Sequence, residues 1–442
     1  MQPSTAAFTS RTSCPKSAER TIAAPLLNMF ESHNCFGNHQ WAYRKQRSSK
    51  DLITLIMCSW IFAFCCGNCV GAFLSDISGA FDRVFTPYLI SKLRGHGLGQ
   101  KYLRFLSSYL APRSGYVCVG GKKSAAVVLA DQVFQGTVLG PPLWNVFFRD
   151  VITAIIMPMI GKAFADDLNA FKVFDRRCPT ATILSDLRTC QEKVHTWGSK
   201  HRVTFDPTKE AFVVLHTRNG FGATFRMLGL MIDTRLCMEE AINAILLTAR
   251  PKMRALLRTR GHYSVTDMFL QFKTHVLGLL ESNIGGIYHA TDTALAPLDR
   301  LQRAFCNNFN MNEESAFCKF NLAPLCLRRD IAMLGFLHKC NLPDAHDEML
   351  LLFPRRTARP RGAHNKQLWN KMALDSNCTF QPELRRRSLF SLVHVYNALP
   401  QSIVNCISIS DFQHELTEVA RKKLYLHHDN WQIFLTAHHF DS

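Results

Sequence analysis

Two short acidic patches carry the residues whose types and spacing best suit chemistry. One is Asp76-Ile77-Ser78-Gly79-Ala80-Phe81-Asp82, which follows an apolar run ending at Leu74, and the other is Phe164-Ala165-Asp166-Asp167, which closes a second apolar run. A packed core has little use for ionised carboxylates beside such runs. Burying one unpaired is costly, and two side by side repel. A divalent cation relieves both penalties by taking hard oxygen ligands, here from Asp76, Asp166 and Asp167. Two Mg2+ ions held close together, with Mn2+ as the alternative, activate an attacking oxygen and stabilise a leaving one in phosphoryl transfer.

The elements that must position these groups follow from the pattern. A strand leads into Asp76, and a hairpin presents Asp166 and Asp167 at its turn. Between them lies Phe134-Gln135-Gly136-Thr137-Val138-Leu139-Gly140-Pro141-Pro142. Glycine there lets the backbone approach a ligand closely, and a glutamine amide bonds to a base or sugar. The order Asp-x-x-x-Ala-Phe-Asp, then Gln-Gly-x-x-Leu-Gly-Pro, then Phe-Ala-Asp-Asp resembles the palm motifs of reverse transcriptases, most of all those of non-LTR (LINE-type) retrotransposons. Any one of these motifs is a weak signal; three in order, with plausible gaps, are a strong one.

The resemblance implies an α+β right-hand polymerase. Its palm is an antiparallel sheet with packed helices over residues 70–235, preceded by partial fingers over 25–69. A helical thumb over 236–312 and a helical C-terminal extension over 313–442 follow, with a basic linker near 354–362. The implied reaction is RNA-directed DNA polymerisation, with an RNA template, a DNA primer and dNTPs as partners. In that family the aromatic residue at the place of Phe81 sits under the incoming sugar and excludes a ribose 2′-hydroxyl. Lys209, after the Asp206-Pro207 turn, approaches the triphosphate, where it donates a proton or neutralises charge. A segment like Gln40-Trp41-Ala42-Tyr43-Arg44-Lys45-Gln46-Arg47 lies near template and nucleotide, with Arg44 and Arg47 pairing phosphates and Trp41 and Tyr43 packing or stacking. Each of these has a plain alternative: a core phenylalanine, a solvated lysine, a basic turn.

From Cys237 to His262 the pattern is helical, with Arg250, Lys252, Arg254 and Arg258 on the polar side, as suits a helix tracking a duplex backbone. The finger strands expected upstream, including an arginine-bearing segment for the triphosphate, have no counterpart in residues 1–30, and no endonuclease motif precedes them. The chain therefore reads as N-terminally truncated, with a nuclease supplied separately. The alternative function is a decayed retroelement fragment that binds nucleic acid without polymerising.

Composition agrees with a polyanionic partner. The chain of 442 residues carries 52 Lys and Arg against 34 Asp and Glu, a net charge of +18, with the 47% hydrophobic and 19% charged content of a globular protein. Sixteen cysteines are scattered rather than framed, with no secretory signal, so the thiols are read as reduced and the setting as intracellular, nucleus or cytoplasm. Residues 1–24, rich in Ser, Thr, Ala and Pro, read as unordered, with a helix starting at Pro25.

One apolar run, Leu52 to Leu74, holds no charged residue and is long enough to suggest a membrane span. Cys66-Gly67-Asn68-Cys69 interrupts it, which favours a buried helix, a turn and then the strand into Asp76. The palm resemblance requires that layout, with no membrane. Gly115 to Ser124 nearly spells a phosphate-binding loop, but its spacing departs by one residue and the alternation argues for a β-hairpin about Gly120-Gly121.

Overall fold

A computed structural model describes residues 16–356 and 364–437. The chain forms two compact units, one comprising residues up to Ser48, Ala72–Lys172 and Ala181–Phe212, the other Ser49–Gly71, Val173–Thr180 and the chain from Val213 onward.

The first unit is mixed helix and sheet. It opens with α1 (Lys16–Ser32), nine residues earlier than the expected start at Pro25. The Ser- and Ala-rich composition concealed an apolar stripe, Ala23, Leu26 and Phe30, that is buried along one face. Glu19 in the same helix is buried and accepts hydrogen bonds from Tyr109 Oη at 2.8 Å and Leu139 N at 3.1 Å. The rest of the expected unordered segment, residues 1–15, lies outside the described residues.

Strand β1 (Asn68–Ser75) is almost wholly buried and belongs to a four-stranded sheet in the order β6-β7-β1-β8, with β6 Ile160–Phe164, β7 Asp167–Asp175 and β8 Ala211–Leu215. β6 and β7 pair antiparallel from Ile160↔Phe171 to Phe164↔Asp167. Helices α3 (Thr86–Gly95), α4 (Gln100–Tyr109) and α5 (Gly140–Phe148) and the long α6 (Thr180–His201) complete the unit, and Trp144, Phe147, Phe148 and Trp197 form an aromatic core among them. The near-phosphate loop is the expected hairpin. Between the antiparallel pair β2 (Arg113–Gly115) and β5 (Val127–Leu129), β3 (Cys118–Val119) pairs with β4 (Lys122–Lys123) across Gly120 and Gly121, whose φ values of 56° and 78° suit a tight two-residue turn.

The second unit is mostly helical. Its α2 (Ser49–Cys65) is buried on nearly every side, the pattern of a core helix, and no helix among the described residues is long and apolar enough to cross a membrane. Gly285 and Gly286 let a second backbone approach α2 closely: a Cβ at 285 would stand 1.7 Å from Thr54 Oγ1. Both glycines lie within the helical piece Ile284–Ile287, which follows Val265–Phe272, a π-helical turn over Lys273–Leu277 and the short piece Gly278–Leu280. Helix α7 (Glu239–Arg258) is followed by helices over Asp292–Asn307, Leu325–Lys339, Leu389–Asn397 and Ile409–Tyr425. Cys66 forms a disulfide with Cys378, so the reading of every thiol as reduced is corrected; the partners lie 312 residues apart, beyond what spacing reveals. The basic linker falls largely on residues outside those described, although Arg355 within it donates to the carbonyls of Cys340 and Leu342 at 2.7 Å each.

Candidate active site

Asp76 follows the last residue of β1, where the strand releases the chain. Its Oδ1 accepts from Ile77 N at 2.9 Å and its Oδ2 from Lys209 Nζ. Lys209 is aimed there by a turn pinned to the same place: Asp206 N donates to the Asp76 carbonyl at 3.0 Å, and Lys209 N to the Asp206 carbonyl at 3.0 Å. The Asp206 carboxylate accepts from Thr208 N and Oγ1, which fixes the turn and lowers its proton affinity. The lysine side chain is 55% exposed and the aspartate 19%, so the pair lies at an open edge. The hydrogen bond to Asp76 holds the Lys209 proton more firmly than in free lysine.

Asp166 arrives from the β6–β7 turn. Burial raises its pKa and the charge of Asp76 raises it further, while a backbone hydrogen bond and Lys209 pull the other way. Two carboxylates from distant parts of the chain therefore face each other closely enough to repel. Asp167 opens β7 opposite Phe164 and is partly buried.

Among the described residues, the three aspartates do not close into a set whose oxygens all lie within 4.8 Å of one another; the group that does is Cys66, Asp375 and Cys378, two of which are disulfide-bonded. At this open edge, the Lys209 ammonium holds the Oδ2 oxygen of Asp76. The donor set still fits a hard divalent cation. Asp76 and Asp166 supply oxygen alone, and their mutual repulsion is what such an ion removes.

The other expected residues divide. Phe81, in a 3-10 turn over Ala80–Arg83, stacks on Trp144 at 6.0 Å between centroids and is partly exposed. Gln135 and Gly136 are exposed on the loop before α5, Gly136 with φ 73°. Arg250, Lys252, Arg254 and Arg258 are all exposed on α7.

Arg44 and Arg47 already have partners within the fold. The Arg44 guanidinium, 6% exposed, is bound to Glu31 at 2.6 Å and to the Gly37 carbonyl, so it is already neutralised inside the fold. Arg47 donates to the carbonyls of Asn38 and Gln40 at 3.0 Å each and lies over Trp41. Tyr43, just before Arg44, is 54% exposed, and its hydroxyl pKa is raised by burial and then by the charge of Asp166.

Sequence reasoning missed the support behind the lysine. Glu210, next to Lys209, accepts from Ser75 Oγ at 2.9 Å, from His195 Nε2 at 2.7 Å and from Gln191 Nε2 at 2.5 Å. Ser75 and Glu210 each adjoin a site residue, and that adjacency was the available signal.

Residues 9–240 match the family model described as reverse transcriptase (RNA-dependent DNA polymerase), more than half of the chain. This chain belongs to the reverse transcriptase family. Within it the likeness is to the LINE-type elements. It is 27% identical over 258 residues to the RNA-directed DNA polymerase from mobile element jockey of Drosophila melanogaster, covering 54% of this chain and 28% of that one. It is 28% identical over 281 residues to the probable RNA-directed DNA polymerase from transposon X-element of the same species, covering 59% and 30%. The chain thus matches less than a third of the length of these relatives. A telomerase structure from Candida tropicalis aligns over 76% of this chain and 56% of that one with a TM-score of 0.38 and 10% identity.

Proposed function

We propose that this reverse transcriptase is an RNA-directed DNA polymerase of a LINE-type retrotransposon, adding deoxynucleotides to a primer 3′-hydroxyl on an RNA template. The observation that carries the reading is the meeting of Asp76, from the end of β1, with Asp166, from the β6–β7 turn, beside Lys209. In this reading residues 70–235 serve as the palm, the segment before them as partial fingers, residues 236–312 as the thumb and the remainder as a helical extension, and a separate nuclease supplies the primer end.

Asp76 and Asp166 would hold divalent metal, with Asp167 as the further oxygen donor. Bound Mg2+ supplies Lewis acidity at the reacting phosphate and makes the primer hydroxyl a better nucleophile. The protein's own groups do the rest. Lys209 holds a proton at Nζ that it would donate to the leaving pyrophosphate, or it would neutralise that charge. The ring of Phe81, backed by Trp144, fills the space a ribose 2′-hydroxyl would need. Gln135 and Gly136 offer an amide and a bare backbone to a base or sugar. On α7, Arg250, Arg254 and Arg258 meet backbone phosphates.

The test is primer extension by the purified chain on a poly(rA) template with an oligo(dT) primer and Mg2+. Incorporation of dTTP that is lost in Asp76→Asn and Asp166→Asn, with primer–template binding retained, supports the reading. A well-folded wild-type chain that binds the duplex but never extends it defeats the reading and leaves a nucleic-acid-binding fragment.

A further inference from the structure

We propose that Gln40 is a positioning residue that sets the backbone of the β6–β7 turn and so brings Asp166 to face Asp76. The catalytic consequence rests on the polymerase reading; the geometry does not.

The turn needs holding. Phe164 pairs with Asp167, which leaves Ala165 and Asp166 as a two-residue loop, and Ala165 has φ 57° while nearly buried. Glycine or asparagine usually takes such a position, because a Cβ is disfavoured in the left-handed region. A buried turn must also find partners for its backbone groups. One side chain supplies both for Ala165: Gln40 Oε1 accepts from Ala165 N at 2.9 Å, and Gln40 Nε2 donates to the Ala165 carbonyl at 3.1 Å.

The amide is itself fixed from several directions. Its Oε1 also accepts from Trp41 N and Ala42 N at 3.0 Å each, and the side chain is buried at 3% exposure. Gln40 forms a parallel bridge with Ala163, flanked by Trp41 N donating to the Ala163 carbonyl and Ala163 N to the His39 carbonyl, both at 2.9 Å. Asn145 Nδ2 from α5 holds the Ala42 carbonyl at 2.8 Å. Arg47 donates to the Gln40 carbonyl at 3.0 Å, a further tie on this segment. The segment ends at Tyr43, also at φ 57°, beside Asp166. Backbone held in sparsely populated regions persists only where the surroundings enforce it, and here those surroundings converge on the acidic turn.

The experiment uses the full chain with Gln40→Met, which keeps length and removes both hydrogen-bonding groups, and Gln40→Glu, which keeps the accepting oxygen and loses the donor. Amide hydrogen exchange of the peptide covering residues 160–171 is expected to rise about tenfold or more in Gln40→Met, with protection elsewhere unchanged. In primer extension kcat is expected to fall about 100-fold, with KM for dTTP and primer–template Kd within about twofold, as for a misplaced reacting group. Adding Ala165→Gly, which adopts positive φ without strain, is expected to restore kcat about tenfold.

Unchanged exchange at the turn, kcat within about threefold of wild type, or no rescue by glycine overturns the proposal. Should Gln40→Met fail to fold, Gln40→Glu carries the same test with an expected loss of about tenfold in kcat. An inactive wild-type chain would defeat the polymerase reading alone, since exchange at the turn and its partial recovery with Ala165→Gly would still decide the role of Gln40.

Discussion

Two Asp–Lys pairs, one in each unit, use the same side chains under different conditions. In the second unit Lys339 Nζ donates to both oxygens of Asp51, at 2.7 and 2.8 Å, and the aspartate side chain is only 8% exposed. In the first unit Asp76 gives one oxygen to Ile77 N and the other to a lysine that is more than half exposed. A second carboxylate, Asp166, is pushed toward its protonated form by burial and then by the charge of Asp76. The Asp51 pair is satisfied as it stands. The Asp76 pair holds more negative charge than its lysine balances, and a fold selected only for stability would not keep that excess. Charge imbalance of this kind, at an open edge, is what the proposed cation would relieve.

The largest expected effect separates the two pairs. Asp76→Asn or Asp166→Asn should lower primer extension by about three orders of magnitude or more, with primer–template affinity little changed, because the lost group acts with its partners as a unit. Asp51→Asn should do the reverse. It leaves Lys339 half-buried without a counter-charge, a loss of about 3 kcal/mol in denaturant unfolding, while the folded fraction extends primers at the wild-type rate. Extension surviving in Asp166→Asn would erase the distinction.

The same contrast has a sign in pH. Burial and the neighbouring Asp76 raise the pKa of Asp166, so the folded chain binds that proton more tightly than the unfolded chain does. Its contribution therefore erodes stability as pH rises from the ordinary carboxylate range through the raised folded value. Asp166→Asn should melt higher than wild type near neutral pH, and the advantage should shrink toward nothing as pH approaches about 4. A variant that melts lower at neutral pH would show that the carboxylate is structural. Asp330 extends the test to the second unit. Burial lifts its pKa to about 7, against hydrogen bonding from Tyr288 and the charge of Arg329. Wild-type stability should decline between about pH 4 and pH 7, and Asp330→Asn should flatten that slope without touching extension.

What the sequence disclosed depended on how local each signal was. The strand into Asp76, the buried helix before it, the Gly120-Gly121 hairpin and the α7 helix are written in short-range periodicity and turn residues, and the structure has all four. Lys209 was singled out by the resemblance, whose motif places a lysine after an Asn/Asp-Pro turn, and the structure sets it against Asp76. Partnerships across long separations were not visible. Nothing near Arg44 says that Glu31 will neutralise it, nothing near Cys66 names Cys378, and Gln40 gives no hint that it will hold Ala165, whose alanine even argues against positive φ. The first nine residues of the N-terminal helix were missed for another reason: small residues resemble a linker until tertiary contact buries one face.

Arginines permit a parallel comparison, between charge spent inside the fold and charge left to solvent. Arg44 belongs to the first kind, so Arg44→Ala should cost about 3 kcal/mol of stability through the orphaned Glu31 contact, with KM for dNTP within about twofold. A tenfold rise in KM with stability intact would return Arg44 to the nucleotide site.

Arg250, Arg254 and Arg258 belong to the second kind. They recur every fourth residue along α7, so each is displaced by about 40° from the last and the three form one exposed row. Lys252 is equally exposed but leaves the helix about 160° away from Arg250, on nearly the opposite side. If the row lies along a nucleic-acid backbone, each Arg→Ala change should weaken primer–template binding modestly and reduce the slope of log K against log[salt] by about 1, because one fewer counterion is released. Lys252→Ala, off the row, should change that slope by less. Net charge alone cannot produce such an asymmetry, since all four substitutions remove one positive charge. Equal, small losses at all four positions would mean that α7 adds only to the general attraction of a basic protein for a polyanion, while a difference confined to the row would orient the duplex against one face of the helix.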